Sequence, residues 1–323
     1  MNAMEPKTAR DPEAAGSRER TLLLLLMVSS VVFNYVDRSA LSVAAPALAS
    51  DLALGPRQMG VLLSAFFWSY AGTMAIAGWL VDRYHTTWVF VAGFLVWSLA
   101  TLATGMAGGM QSLLVFRLLL GWGQSISFPA YSRFIVSGFP AERRALPNAL
   151  IDAGAKLGPA VATLIGGNLI AAYGWRSLFF ILGGASLISL GPWCVWPPRV
   201  PAQPPSGKDA PSILAILRRR EAWGTFFGNS AQSYGFFFLF TWFPTYLVRE
   251  RGLSLRRMAL FGSTPFAASA LASVTAGWAS DHLIRRGFSP TRVRKTVVVT
   301  GILGTILLIP AAAAESLGVC MAL

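Results

Sequence analysis

Apolar residues in this chain do not alternate with polar ones; they run in long blocks separated by short, mostly basic breaks. A helix needs about 20 residues, at ~1.5 Å rise each, to cross a bilayer, and blocks of that length recur from Leu22 almost to the end. The pattern predicts helices over 21–48, 58–81, 86–106, 111–137, 146–171, 176–196, 222–247, 257–280 and 295–314, an all-α polytopic membrane protein with nine crossings. The first block follows Arg18 and Arg20 and precedes Ala47-Leu48-Ala49, as a secretory signal would. Cleavable signals run about 15–30 residues, however, and Asp37 and Arg38 interrupt this one, so it is expected to stay as the first crossing.

Composition agrees with the pattern. The 323 residues are 54% hydrophobic and 13% charged, against about 25% charged in a soluble domain. The net charge of +13 would suggest nucleic acid if it formed one patch or arm. Instead, Lys and Arg gather in the N-terminal tail (Lys7, Arg10, Arg18, Arg20), 82–85 (Arg83), 138–145 (Arg143, Arg144), 197–221 (Arg199, Lys208, Arg218, Arg219, Arg220) and 281–294 (Arg285, Arg286, Arg292, Arg294). These are alternate loops, and the positive-inside bias predicts that they and the N-terminus lie in the cytoplasm; the expected location is a bacterial inner (plasma) membrane, crossed many times. The basic loop 248–256 dissents, with Glu250 offsetting part of its charge. Cys194 and Cys320 are too few for a disulfide framework, and His85 and His282 read as boundary residues with no metal-ligand spacing. No nucleophile, metal cluster or phosphate-binding glycine loop stands at a membrane edge, which argues against an enzyme and against a cofactor other than a proton or cation gradient.

The 197–221 stretch differs from the rest, with six prolines among polar residues, and reads as an interdomain linker. Laying 54–83 over 253–282 without a gap aligns Arg57 with Arg256, Ser64 with Ser263, Phe67 with Phe266, Gly78 with Gly277, Trp79 with Trp278 and Asp82 with Asp281. The second and eighth crossings are thus copies, as in carriers built from parallel six-helix repeats. The expected organisation is a cytoplasmic tail (1–20), a six-helix half (21–196), a cytoplasmic linker (197–221) and a partial second half (222–323). By that arithmetic the chain is expected to be truncated, needing a second copy or a separately encoded fragment to complete it.

Gly78-Trp79-Leu80-Val81-Asp82-Arg83 resembles the signature loop of the major facilitator superfamily, echoed imperfectly by Gly277 to Asp281. These residues read as a conformational latch, the Gly admitting a neighbouring helix and the Asp bonding a facing helix N-terminus. His85-Thr86-Thr87 stands where that pattern has Gly and two basic residues. Asn34-Tyr35-Val36-Asp37-Arg38, Phe116-Arg117 leading through Gly121, Gly123 and Gln124 to Phe128-Pro129-Ala130, Asp152 to Gly158, and Gly174-Trp175-Arg176 resemble the anion:cation symporter family. That family includes sugar-acid, sialic-acid and vesicular glutamate carriers, and the resemblance spans about 22–299.

A charge within the hydrocarbon layer costs at least ~2.5–3.5 kcal/mol, so Arg38 and Arg117 are expected to face a cavity or partner. Counting helix rise puts both at comparable depth in the outer half of the bilayer, in one water-accessible hollow. A guanidinium fork fits a carboxylate bidentately. The resemblance implies that Arg38 binds substrate carboxylate, with Tyr35 on the same helix face and Tyr70 as a further contact. The alternative for Arg38 is a structural pair with Asp37 or a helix-end dipole.

The resemblance also implies proton coupling through Asp37 and a Glu seven residues after Arg117, but Gln124 occupies that position and an amide takes up no proton. Coupling then rests on Asp37 alone, or is lost. Lys156 is read either as an i,i+4 partner of Asp152 or as a second anion contact, and Gly154 and Gly158 as helix-packing sites. Asn229, Gln232 and Tyr234 on the seventh crossing are expected to face the cavity, or merely to bridge helices. The implied function is secondary active transport of small organic anions, with sugar acids favoured. The competing readings are a drug or cation antiporter and a non-transporting remnant.

Overall fold

A computed structural model describes residues 17–140, 143–198, 215 and 217–322. The side chains of residues 17, 145, 221, 225, 274, 281, 285, 290, 294, 321 and 322 are not described. Lys7, Arg10, Arg199, Lys208 and the linker prolines 201–211 lie outside the described residues.

Every regular element among the described residues is helical. In chain order these are α1 (Ser17–Asp51), α2 (Pro56–Arg83), α3 (Thr86–Thr104), α4 (Met110–Ser125), α5 (Ser127–Gly138), α6 (Ala145–Tyr173), α7 (Trp175–Val195), α8 (Arg220–Arg249), α9 (Leu255–Arg285), α10 (Pro290–Gly304), α11 (Leu308–Ala313) and α12 (Leu317–Ala322). Among the described residues, eight helical spans are long and apolar enough to cross a membrane, two of them jointed: α4 with α5 over Met110–Gly138, and α10 with α11 over Thr291–Ala313. Arg220–Arg249, expected as the seventh crossing, has 30 residues but is not among the eight, because Asn229, Ser230, Gln232 and Ser233 dilute its apolar content.

The fourth crossing departs from the expected continuous helix. It breaks at Ile126, three residues before Pro129, which lacks an N–H and so removes a bond from the helical ladder at that point. The joint falls beside Gln124, Ser125 and Ser127. The α6–α7 connection, by contrast, is a single residue: Gly174 takes φ of +82°, a conformation that favours glycine, and turns the chain straight into α7.

Alternation of crossings puts the α1–α2, α6–α7 and α8–α9 turns on one face, called distal here, opposite the start of α1. On that face Asp51 Oδ2 accepts from Trp175 Nε1 at 3.0 Å and Arg176 Nη1 at 2.7 Å, tying the end of α1 to the start of α7. Lipid gives helices no hydrophobic reason to associate, so close packing of small residues holds them. A methyl group at Gly158 would lie 2.5 Å from Tyr35 Cβ, and one at Gly154 would lie 2.6 Å from Val31 Cγ1, which fixes α6 against α1. Gly121 similarly brings α4 onto α2, and Gly93 and Gly123 face each other between α3 and α4.

The later helices join this bundle over only part of their length. Phe240 and Leu247 on α8 and Met258, Ala259, Phe266 and Ala270 on α9 are buried. Trp223, Phe226, Phe227, Asn229 and Gln232 on α8 and Gly277 and Trp278 on α9 are exposed. Packing is therefore tight toward the distal face and open toward the proximal one.

Candidate functional site

The site is built on α1, a helix long enough to place charge far from either face. Arg38 is 2% exposed and Arg117, brought in by α4, 4% exposed. The Arg38 guanidinium carbon lies over the rings of Tyr35 at 4.4 Å, Phe66 at 4.6 Å and Tyr70 at 4.9 Å. Its edge donates from Nε to Gln124 Oε1 and from Nη2 to Asn34 Oδ1, each at 3.1 Å. Gln124 in turn donates from Nε2 to Asn34 O at 2.9 Å, and Asn34 Nδ2 donates to Ser127 Oγ at 3.0 Å, so the α4–α5 joint fixes the orientation of both amides. Arg117 Nη2 points at Arg38 O at 3.5 Å, its guanidinium carbon lies 5.9 Å from the Phe66 ring centre, and its Nε has no partner among the described residues.

The two arginines thus share one cluster, as depth counting predicts. The expected water-accessible hollow is not there in this conformation. Tyr35 meets Phe128 and Phe240 edge to face, Phe67 meets Phe237 at 5.0 Å, and this ring layer from α1, α2, α5 and α8 closes the cluster. Among the described residues the ion pairs are Arg133–Asp82, Lys156–Asp152 and Arg176–Asp51, so no acidic side chain neutralises Arg38 or Arg117.

Asp37 turns the other way, since neighbours on a helix point about 100° apart. It is 1% exposed, and its Oδ2 accepts from Ser186 Oγ of α7 at 2.6 Å. It therefore neither pairs with Arg38 nor meets Gln124: Asp37 bonds α7 while Gln124 bonds the face of α1 that carries Asn34 and Arg38.

Other expected residues stand apart. Lys156 Nζ donates to Asp152 Oδ2 at 2.6 Å and also bonds Ser273 Oγ, outside the arginine cluster. Tyr234, 74% exposed, lines a groove of about 380 Å³ with Ser64, Phe67, Phe237 and Thr241, two of which, Phe67 and Phe237, belong to the ring layer. Asn229 is exposed on the part of α8 that stands away from the bundle.

At Gly78 and Gly277 the expectation of a close helix approach fails: a methyl group at either would meet nothing within 4 Å, because both residues face open space. Asp82 reaches Arg133 Nη1 at 3.8 Å, a side chain rather than a helix N-terminus, and Arg83 is exposed. Asp281 lies in α9 with its side chain outside the described set. Sequence reasoning missed Phe66, Asn34 and Ser127 as members of the arginine cluster; i+4 spacing from Asn34 to Arg38 was the available signal.

Residues 27–323 match the Major Facilitator Superfamily. The chain is 30% identical to the probable galactarate/D-glucarate transporter of Escherichia coli K12, over 91% of this chain and 74% of the relative. It is 32% identical to a hexuronate transporter of Bacillus subtilis 168 (91% and 72%) and 29% identical to a D-galactonate transporter of Escherichia coli O6:H1 (90% and 74%). Crystal structures of a bacterial homologue of the human lysosomal transporter Spinster superpose with TM-scores of 0.72 and 0.74 at 22% and 21% identity, over 84% and 95% of this chain. The chain spans 64% and 70% of those two structures' own length, and they speak for the fold alone. Matched from Met27 to its last residue, and with curated relatives that are carriers and not enzymes, the chain belongs to the Major Facilitator Superfamily.

Proposed function

We propose that the protein is a secondary carrier of small organic anions, sugar acids foremost, which it passes by alternating access between its first six crossings and the helices from α8 onward. The observation that carries this is the pair of buried guanidinium groups in one cluster, with no acidic side chain among the described residues paired with either. Such charges are strongly destabilising in a low-dielectric interior unless something negative meets them. A carboxylate entering between Arg38 and Arg117 supplies that charge, and Tyr35 and Tyr70 give it aromatic walls. The transporters for galactarate, glucarate, hexuronates and galactonate among the relatives support the same substrate class. Alternate basic loops support a cytoplasmic N-terminus and an inner-membrane location, which makes the distal face periplasmic. In proteoliposomes, uptake of a labelled aldonate or uronate is expected to exceed that of the matching neutral hexose by about tenfold or more; equal uptake sinks the anion reading.

Asp37 is the acid on which coupling would rest, because Gln124 holds no exchangeable carboxyl proton. Asp37 bonds Ser186 of α7 while Arg38 bonds Gln124 of α4, so on this reading proton and anion do not compete for one spot. Replacing Asp37 by Asn is expected to abolish proton movement accompanying uptake while leaving anion exchange measurable. A pH-jump assay in which Asp37→Asn moves protons with wild-type stoichiometry removes Asp37 from the mechanism.

A further inference from the structure

Helices α6 and α9 run antiparallel, one from each side of the molecule, and are joined along a defined line. Nearest the distal face, a methyl group at Gly167 would lie 2.6 Å from Ala259 Cβ; inward of that, one at Gly262 would lie 2.9 Å from Thr163 Cγ2. Further inward, about two turns of α6 on, Lys156 meets Ser273. Beyond this point Thr275, Gly277 and Trp278 on α9 are exposed, as is Asp152 on α6. Lys156 therefore stands where the tight distal seam gives way to the open proximal side.

Its bonding is asymmetric. The Lys156 ammonium is held on its own helix by Asp152 one turn away, and crosses to α9 only through the neutral hydroxyl of Ser273. If α9 swings off α6, Lys156 keeps its counterion and gives up a single hydrogen bond; no ion pair has to be pulled apart. An ion pair across the seam would resist opening far more strongly, and an apolar contact would give less directional hold. We infer that Lys156, held by Asp152 and engaging Ser273, is a releasable latch that keeps the distal face shut and sets how often it opens. This assigns Lys156 to gating and not to substrate contact, and it rests on the proposal that the chain alternates access.

The test uses the full chain with Cys194→Ser and Cys320→Ser and a single reporter, Thr163→Cys, at a seam position 2% exposed in the shut form. Modification by a membrane-impermeant maleimide added from the distal side reads opening of the seam. Ser273→Ala and Lys156→Met are each expected to raise the labelling rate about tenfold, and the double variant no further, since both remove one bond. Ser273→Thr, which keeps the hydroxyl, is expected to stay near the parent rate, and Ser273→Ala to leave the melting temperature unchanged, which separates a latch from general loosening. Equal labelling in parent and variants overturns the latch while leaving alternating access in place. No labelling in parent or variants overturns the latch and alternating access together.

Discussion

Replacing Arg38 by alanine is expected to lower sugar-acid uptake by about a hundredfold or more without preventing the protein from inserting. Truncating one partner of a desolvated, hydrogen-bonded charge pair costs about 2–5 kcal/mol, which is ~30-fold to several thousandfold in affinity. Arg38 lies at the favourable end of that range, because its guanidinium is buried among three rings with two of its donors already committed to Gln124 and Asn34. Those two bonds fix the plane of the fork, leaving the remaining N–H groups to face a carboxylate. Arg38→Lys keeps the charge but cannot hold both amides and a bidentate ligand together, so it is expected to recover little of the loss. Uptake by Arg38→Ala within tenfold of wild type, at equal membrane abundance, would remove Arg38 from the binding site. The same variants in a ligand-induced thermal shift assay separate lost binding from a slowed cycle.

Gly121→Ala is expected to be the most damaging conservative change in the first six crossings. The added methyl would lie 2.1 Å from Ser69 Oγ, 2.4 Å from Phe66 O and 3.1 Å from Tyr70 N. Ser69 can rotate away; the Phe66 carbonyl is backbone and cannot, so α2 and α4 must part. Overpacking of this kind costs about 1–3 kcal/mol, and backbone contacts push it to the upper end. Because Phe66 and Tyr70 also flank Arg38, parting the helices disturbs the site, and uptake should fall along with the melting temperature. Ser69→Ala added to Gly121→Ala is expected to restore part of the loss and not all of it. Gly72→Ala, where a methyl would meet nothing within 4 Å, is the matched control and is expected to be neutral or slightly stabilising. A Gly121→Ala protein melting with wild type would show that the α2–α4 contact has slack to admit a methyl group.

Much of this was legible in the chain because helix rise is fixed. Block lengths locate the crossings, and counting from helix ends puts Arg38 and Arg117 at one depth, where Arg117 indeed reaches the Arg38 carbonyl. The angle between neighbours on a helix likewise separates Asp37 from Arg38. What failed was naming which residue of a second helix packs against a given position. The ring layer over Arg38 includes Phe237 and Phe240, some 200 positions away in sequence, and no local pattern on α1 announces them. The same limit explains Gly78 and Gly277, where the motif suggested a close neighbour and the structure has open space. The neighbours of Gly93, Gly121 and Gly123, which do make such contacts, were equally invisible from one strand of text. Pro129 was visible but sat in an apolar run that hid the joint at Ile126.

The closure over the arginines has a bearing on what a passenger does for the protein. Two like charges shut away from water repel each other and lose their solvation shells. A carboxylate shut in with them offsets both penalties, as an aspartate would in a soluble core. On the proposed reading, the cargo is the counterion that no described side chain supplies at that spot, and the occluded form would draw stability from the solute.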